Sequence, residues 1–498
     1  MKTRYLLAID QGTTGSTALL VGADGAVLAR ANCEFPQHFP KPAWVEHEPE
    51  EILQSVRKAI RDVFTASKLD PRDCAGIGIT NQRETTVLWE RNSGRPVHRA
   101  IVWQDRRTSE RCAQLKQRGL EPLFRERTGL VIDPYFAGTK LEWLLENVPF
   151  ARSHAESGEL AFGTIDSFLI HRLTAGVHAT DVTNASRTLL FDIRKLAWDD
   201  ELLGHLRIPR ALLPEVKSSS ELFGHTKGFD PLPDGIPIMG VAGDQHAALF
   251  GQTCFGVGEG KCTYGTGAFF LVNTGTEPVR SKHGLLTTVA WRIGNRTEYA
   301  LEGSSFIAGA AVQWLRDGLG LIKSASEIEA LAAQVESSGD VLFVPALAGL
   351  GAPYWDPDAR GLISGITRDT TKAHLARATL EGIAFQVADL AQSMEADMGR
   401  SLTGLRVDGG ASQNEILMKF QGDILGVQVD RPRSVETTGL GAAYLAGLAA
   451  GVFESREAIA RAHRIDWSYK PTMSLERREA HKVRWARAVA RARSELGL

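Results

Sequence analysis

An arginine beside a glutamate stands where a buried strand should end. The apolar run Ala75-Gly76-Ile77-Gly78-Ile79-Thr80 reads as that strand, and Asn81-Gln82-Arg83-Glu84-Thr85 follows it. Arginine supplies only donors and an ionised glutamate only acceptors, so the pair suits a small ligand with several hydroxyls. The alternative use is a surface ion pair, which contributes little. A second carboxylate, Asp244, follows the strand-like Val241-Ala242-Gly243. There it can take a proton from an attacking hydroxyl, or serve as N-cap of the helical run Ala247-Ala248-Leu249. Both can hold at once. Asp10 ends the first apolar run, where a carboxylate can hold a hydrated magnesium ion.

Two Gly/Thr turns lie between apolar strands, Asp10-Gln11-Gly12-Thr13-Thr14-Gly15-Ser16 and Tyr264-Gly265-Thr266-Gly267. Glycine lets backbone N–H groups approach a phosphate, and threonine hydroxyls add donors. Plain turn chemistry is the competing use of the same residues. Val407-Asp408-Gly409-Gly410 leads from a strand into a helix, a junction that suits a nucleotide, and the Asn414 amide can read a base edge. Nothing matches the G-x-x-x-x-G-K-[ST] phosphate loop. Trp103 and Phe269 can wall a small carbon skeleton, or simply fill a core.

The elements that must carry these residues alternate between strand and helix. Tyr5 to Ile9, Thr17 to Val21 and Ala26 to Ala29 read as a three-stranded meander. Ile52, Leu53, Val56, Ala59, Ile60 and Val63 repeat at a helical period between Pro49 and Ala66. A second strand–turn–strand series begins near residue 251. Gly303 to Asp317 reads as a helix entered through small residues, Thr371 to Met394 as a long amphipathic helix, and Ser474 onward as a polar one. The reading is α/β in two domains, 1–250 and 251–498, that share an interface. One Gly/Thr hairpin in each half hints at an ancient duplication.

Composition narrows the partners. The 498 residues include 57 Lys and Arg against 59 Asp and Glu, a net charge of -2, which gives no electrostatic reason to expect nucleic acid or an anionic membrane. Five cysteines without a C-x-x-C pair signal neither a disulfide framework nor a zinc site. The basic start Met1-Lys2-Thr3-Arg4 precedes an apolar run too short for a signal peptide, and no run of about 18 apolar residues suggests membrane insertion. A cytoplasmic protein is expected.

Taken together, these residues resemble the FGGY carbohydrate kinase family over essentially the whole chain. Asp10-Gln11-Gly12-Thr13-Thr14 looks like its first phosphate loop. Gly361-Leu362-Ile363-Ser364-Gly365-Ile366 and the later His374-Leu375-Ala376-Arg377-Ala378-Thr379-Leu380-Glu381 look like its signature. Asn81 to Thr85, Gly129 to Tyr135, Asn184-Ala185-Ser186-Arg187-Thr188 and Gly349 to Pro357 are most similar to its glycerol-phosphorylating members.

The resemblance implies two domains of the actin-like ATPase (ribonuclease H-like) type with an active site in the cleft between them. It implies Mg²⁺- and ATP-dependent phosphorylation of glycerol to sn-glycerol 3-phosphate, in a homodimer or homotetramer. By position, Arg83, Glu84, Tyr135, Asp244 and Gln245 would bind glycerol hydroxyls, with Asp244 as general base. Trp103 and Phe269 would meet its carbons. Thr13, Thr14, Gly15, Thr266, Gly309, Gln313, Gly410 and Asn414 would line the ATP site, and Asp10 would hold the metal.

Three departures from the family pattern stand out: Thr17 in place of an arginine near the phosphate loop, no Gly-x-Arg in residues 228–235 for fructose 1,6-bisphosphate, and Ala137 in place of a small hydroxyl residue. Lys261, just before the second hairpin, is a candidate to replace the missing positive charge. The competing readings are a kinase for another small polyol or ketose, and a non-catalytic actin-like ATP-binding protein.

Overall fold

Thirteen strands run through the molecule as one twisted sheet in the computed structural model, which describes residues 4–494. Met1, Lys2 and Thr3 of the basic start and the last four positions lie outside the described residues. In chain order the strands are β1 (Tyr5–Gln11), β2 (Gly15–Gly22), β3 (Val27–Glu34), β4 (Cys74–Asn81), β5 (Ser220–His225), β6 (Pro237–Gly243) and β7 (Glu259–Tyr264). There follow β8 (Ala268–Gly275), β9 (Leu286–Ile293), β10 (Arg296–Ser305), β11 (Gly404–Asp408), β12 (Val429–Pro432) and β13 (Ile465–Tyr469). Across the sheet they lie in the order β13-β12-β11-β7-β8-β10-β9-β5-β6-β4-β1-β2-β3.

The same motif occurs twice. In the first half β1, β2 and β3 form an antiparallel meander, and β4 then β6 add in parallel beside β1. In the second half β7, β8 and β10 form the meander, and β11 then β12 add in parallel beside β7. The equivalent turns close alike: Gly12 N–H donates to Gly15 C=O at 2.9 Å, and Gly265 N–H to Gly267 C=O at 2.9 Å. The two half-sheets meet where Ser220 of β5 pairs with Ile293 of β9.

Six helices matter for the site: α1 (Pro49–Ser67), α2 (Asp244–Gly251), α3 (Gly309–Asp317), α4 (Lys372–Met398), α5 (Glu415–Leu425) and α6 (Thr437–Ala449). The apolar stripe of α1 (Ile52, Leu53, Val56, Ala59, Ile60, Val63) is buried against the first meander, as its spacing requires. Two expectations need correction. The helix expected from Gly303 starts at Gly309, because residues 303–305 complete β10 opposite β8. The long helix α4 is not amphipathic through its middle: every residue from Ala378 to Ala388 is buried in the second core.

Helix α6 comes from the second half of the chain but packs on the first. A Cβ on Gly78 of β4 would lie 2.2 Å from the Ala442 carbonyl oxygen, and one on Gly441 would lie 1.8 Å from that of Ala247 in α2. Glycine is required on both sides of this contact. The apolar cluster so formed mixes Leu6, Ala8 and Leu19 with Leu440, Ala443 and Tyr444, so the halves share a buried core.

Candidate functional site

The parallel strands β1, β4, β6, β7 and β11 deliver their carboxyl ends to one side of the sheet, where open α/β sheets bind ligands. Asp10 is the penultimate residue of β1. Arg83 and Glu84 follow β4, Asp244 follows β6, Gly265 to Gly267 follow β7, and Gly409 and Gly410 follow β11.

The Arg83–Glu84 pair is not on the surface, so the surface ion-pair alternative is overturned. Both residues are only 1–2 % exposed. They are not each other's main partner either, since Arg83 Nε stands 3.8 Å from Glu84 Oε1. Arg83 instead grips Glu302 of β10 with Nη1 to Oε2 at 2.5 Å and Nη2 to Oε1 at 3.0 Å. Its Nε lies 3.0 Å from Asp244 Oδ1, and its Nη2 donates to the Tyr135 hydroxyl at 3.4 Å. Glu84 accepts from Arg187 Nε at 2.7 Å, and Arg187 Nη2 reaches Glu302 Oε1 at 3.0 Å.

Two arginines and three carboxylates therefore interlock. Charges so enclosed are tolerable only when paired. Burial pushes the Glu302 carboxyl up, but Arg187 and Arg83 outweigh it and hold it well below the usual carboxylate range. In Asp244 burial outweighs Arg83 and raises its proton affinity.

Sequence reasoning named Arg187 only as part of a motif and missed Glu302, which sits 219 residues from Arg83 on a strand with no local signal. It also passed over the role of Lys140. This lysine is fully buried and donates to the backbone carbonyls of Glu84 at 3.0 Å and Tyr135 at 2.8 Å, tying the two segments together. Burial pushes its amine down to about 7. The Glu84 backbone has φ 62°, the left-handed region that non-glycine residues rarely adopt. Such strain persists where the surroundings dictate it.

Around this cluster Trp103, Tyr135, Gln245 and Phe269 are partly exposed, and Lys261 is buried. The Trp103 and Tyr135 rings meet edge to face with centroids 5.8 Å apart, and Trp103 Nε1 donates to Thr13 Oγ1 at 3.0 Å. That bond joins the Arg83 side of the site to the first Gly/Thr turn. Gln245 accepts a hydrogen bond from Lys261, which also donates to Thr263 Oγ1 at 2.9 Å. Lys261 is thus already committed between the halves. Phe269 pairs in register with Thr263 on the adjacent strand. Asp244 is the first helical residue of α2 and Gly243 is its N-cap, one position earlier than the cap expected at Asp244. Asp244 Oδ1 accepts from the Gln245 N–H at 2.6 Å.

The second turn is clamped to α3. Gly309 N–H donates to Gly265 C=O at 2.9 Å, and Ala308 N–H to Thr266 C=O at 2.8 Å. Gln313 stands exposed one turn further along α3. Gly409 takes φ 85° beneath Tyr264, whereas Gly410 faces open space. Asn414 caps α5, its Oδ1 accepting from Leu417 N–H at 2.9 Å. That leaves its amide NH₂ for a ligand.

Asp10, Gly12, Thr14, Gly15, Thr17, Arg30, Asn32 and Glu34 line a cavity of about 370 Å³ beside the first turn. Thr17 does face this space, next to Asp10 across β1 and β2, and accepts from Asn32 Nδ2 at 2.9 Å. Arg30 is the one basic side chain of the wall and pairs with Glu436 at 2.6 Å. Burial, with Asp244 and Glu436 nearby, pushes the Asp10 carboxyl up to about 7, while Arg30 opposes the shift. This is a local excess of negative charge. A divalent cation would neutralise it, so the residues fit a hydrated Mg²⁺ held through one or two carboxylates.

Models of the FGGY family of carbohydrate kinases match residues 5–251 (the family's N-terminal domain) and 260–450 (its C-terminal domain). The chain belongs to the FGGY family of carbohydrate kinases. A glycerol kinase of Myxococcus xanthus is 58% identical over 494 residues, covering 99% of this chain and 100% of that one. One of Oceanobacillus iheyensis is 55% identical over 99% of each chain. Among solved structures, Plasmodium falciparum glycerol kinase with ADP superposes with a TM-score of 0.94 at 37% identity, covering 98% of both chains. A gluconate kinase of Lactobacillus acidophilus shares the fold at 23% identity and a TM-score of 0.89, covering 99% of both chains. This FGGY kinase thus has the paired α/β architecture of actin-like ATPases. Among the described residues no helix is long and apolar enough to cross a membrane.

Proposed function

We propose that this FGGY kinase transfers the γ-phosphoryl group of ATP to glycerol, giving sn-glycerol 3-phosphate and ADP. The observation that carries the reading is the buried Arg83, held 3.0 Å from Asp244 at the ends of neighbouring parallel strands. Glycerol is small, so its direct binding energy is limited to about 1.5 kcal/mol per heavy atom at best. Recognition must rest on paired polar groups, because an unpaired buried donor or acceptor is costly.

Arg83, Glu84, Tyr135 and Gln245 take the hydroxyls, and Trp103 and Phe269 pack on the carbons. Asp244 accepts the proton of the attacking hydroxyl as its oxygen bonds to the γ-phosphorus and the bond to the β-phosphate oxygen breaks. The raised proton affinity of Asp244 suits it to this task. Thr13, Thr14, Gly15 and Thr266 flank the phosphates. Gly309, Gln313, Gly410 and Asn414 line the nucleotide's remaining length. Asp10 would hold Mg²⁺, which when bound would supply positive charge to offset that of the phosphates. A cytoplasmic location and assembly as a homodimer or homotetramer belong to the same reading.

The test is ATP-dependent formation of glycerol 3-phosphate by the purified protein, run beside a panel of polyols and ketoses. Turnover with glycerol well above every other acceptor is expected. Preference for a pentulose, or ATP binding without transfer to any acceptor, would overturn the reading.

A further inference from the structure

A cavity of about 320 Å³ lies away from the residues assigned above, at a seam between the two halves of the chain. Arg125, Glu126, Gly129, Ile193 and Arg194 line it from the first half, and Pro278, Arg280, Ser281 and Thr287 from the second. The seam is closed by a backbone bond, Thr287 N–H to Gly129 C=O at 2.9 Å.

Three arginines line one small space. Among the described residues none of Arg125, Arg194 and Arg280 has a carboxylate within ion-pair distance. The nearby acids are otherwise engaged. Asp192, Asp199 and Glu201 surround Arg127 at 3.7, 3.9 and 3.8 Å, and Asp192 also faces Lys195. Asp397, beside Ser281, takes the Ser281 hydroxyl and His283. Glu126, the single acid of the wall, pairs with none of the three arginines. Moreover, Arg125 Nη2 is buried with no hydrogen-bond acceptor. A buried donor left unmet is costly, and a charged one more so. Like charges converging on one cavity add repulsion.

We propose that this seam is a binding site for a small phosphate-bearing anion, distinct from the catalytic cleft. A phosphate monoester supplies what the wall lacks: negative charge, and several acceptor oxygens for planar guanidinium forks. The volume, at the low end for ligand pockets, admits orthophosphate or the ester of a short polyol. Because both halves contribute wall residues, the bound anion bridges them.

The test is calorimetric titration with inorganic phosphate, and separately with glycerol 2-phosphate, an ester that is not the reaction product. Saturating MgADP and glycerol fill the cleft, and ionic strength is held constant with chloride. Saturable binding of at least one probe is expected. The double variant Arg194→Gln, Arg280→Gln alters two exposed side chains, and its unfolding temperature and glycerol phosphorylation without added phosphate should be unchanged. Its affinity should drop roughly tenfold or more, since two charge-assisted partners are lost. Arg125→Gln, checked for folding in the same way, should weaken binding as well. Tighter binding of glycerol 2-phosphate would identify the ligand as an organic ester, and equal binding would identify orthophosphate. No saturable binding of either probe by the wild-type protein would overturn the site, as would undiminished binding by a folded double variant.

Discussion

At the scale of single residues, the two carboxylates nearest the chemistry should behave differently. Asp244→Asn should lower kcat by about 10²–10⁴-fold while calorimetry still detects glycerol, because only the proton acceptor is removed. Burial raises the Asp244 proton affinity against the pull of Arg83 and Lys261. Its charged, active form is therefore lost at higher pH than for an ordinary carboxylate. The acid limb of kcat against pH should lie above the range of an ordinary aspartate, and the Asn variant's residual rate should show no such limb. Glu302 is structural and electrostatic. Glu302→Gln leaves Arg83 and Arg187 short of charge in a buried setting, and urea unfolding should show a loss of about 3–5 kcal/mol. Position 17 poses a separate question of charge. With Lys261 engaged by Gln245 and Thr263, the basic side chain of the Thr17 cavity is Arg30. Arg30→Gln should raise the KM for ATP more than that for glycerol, and adding Thr17→Arg should restore part of it. Lys261→Ala should instead disturb the glycerol KM through Gln245. Unchanged ATP kinetics in Arg30→Gln would detach that arginine from the phosphates. The sequence showed Arg83, Glu84 and Asp244 because each follows its own apolar strand. It hid Glu302, because a clasp between residues 219 apart leaves no local pattern.

At the scale of elements, the glycine-mediated contact of α6 with α2 and β4 sets where Asp244 points. Gly441→Ala places a Cβ 1.8 Å from the Ala247 carbonyl oxygen, so α2 must shift. An overpacking cost of about 1–3 kcal/mol in unfolding free energy is expected. A fall in kcat should accompany it, since Asp244 is the first residue of the displaced helix. Full activity at reduced stability would show that α2 moves without carrying its N-terminus. The meander β1–β3 was legible from its apolar runs and the turns between them, and helix α1 from its period. The start of α3 was not. Residues 303–305 are as small as helix-entry residues, and only their pairing with β8 makes them strand. The full burial of α4 likewise depends on partners on every side, which periodicity along one helix does not reveal.

At the scale of the whole molecule, the duplicated strand order explains why the two Gly/Thr turns lie at the same edge of the sheet, each at the end of an equivalent strand. Two Gly/Thr hairpins hinted at the repeat, and the equivalence of β1, β2, β3, β4 and β6 with β7, β8, β10, β11 and β12 makes it explicit. The halves are alike in topology but not independent, because β10 of the second supplies the acid for two arginines of the first. Residues 1–251 produced alone should bind no glycerol by calorimetry, and adding residues 252–498 as a separate chain should restore binding; glycerol binding by the first fragment alone would contradict this. The same clasp sets a timetable for the newborn protein. Chains leave the ribosome at about 5–20 residues per second, so the 219 residues between Arg83 and Glu302 take on the order of ten to forty seconds to follow. Arg83 for that interval, and Arg187 for the 115 residues that separate it from Glu302, lack the acid they share, and the polar centre can be sealed only once translation has passed β10.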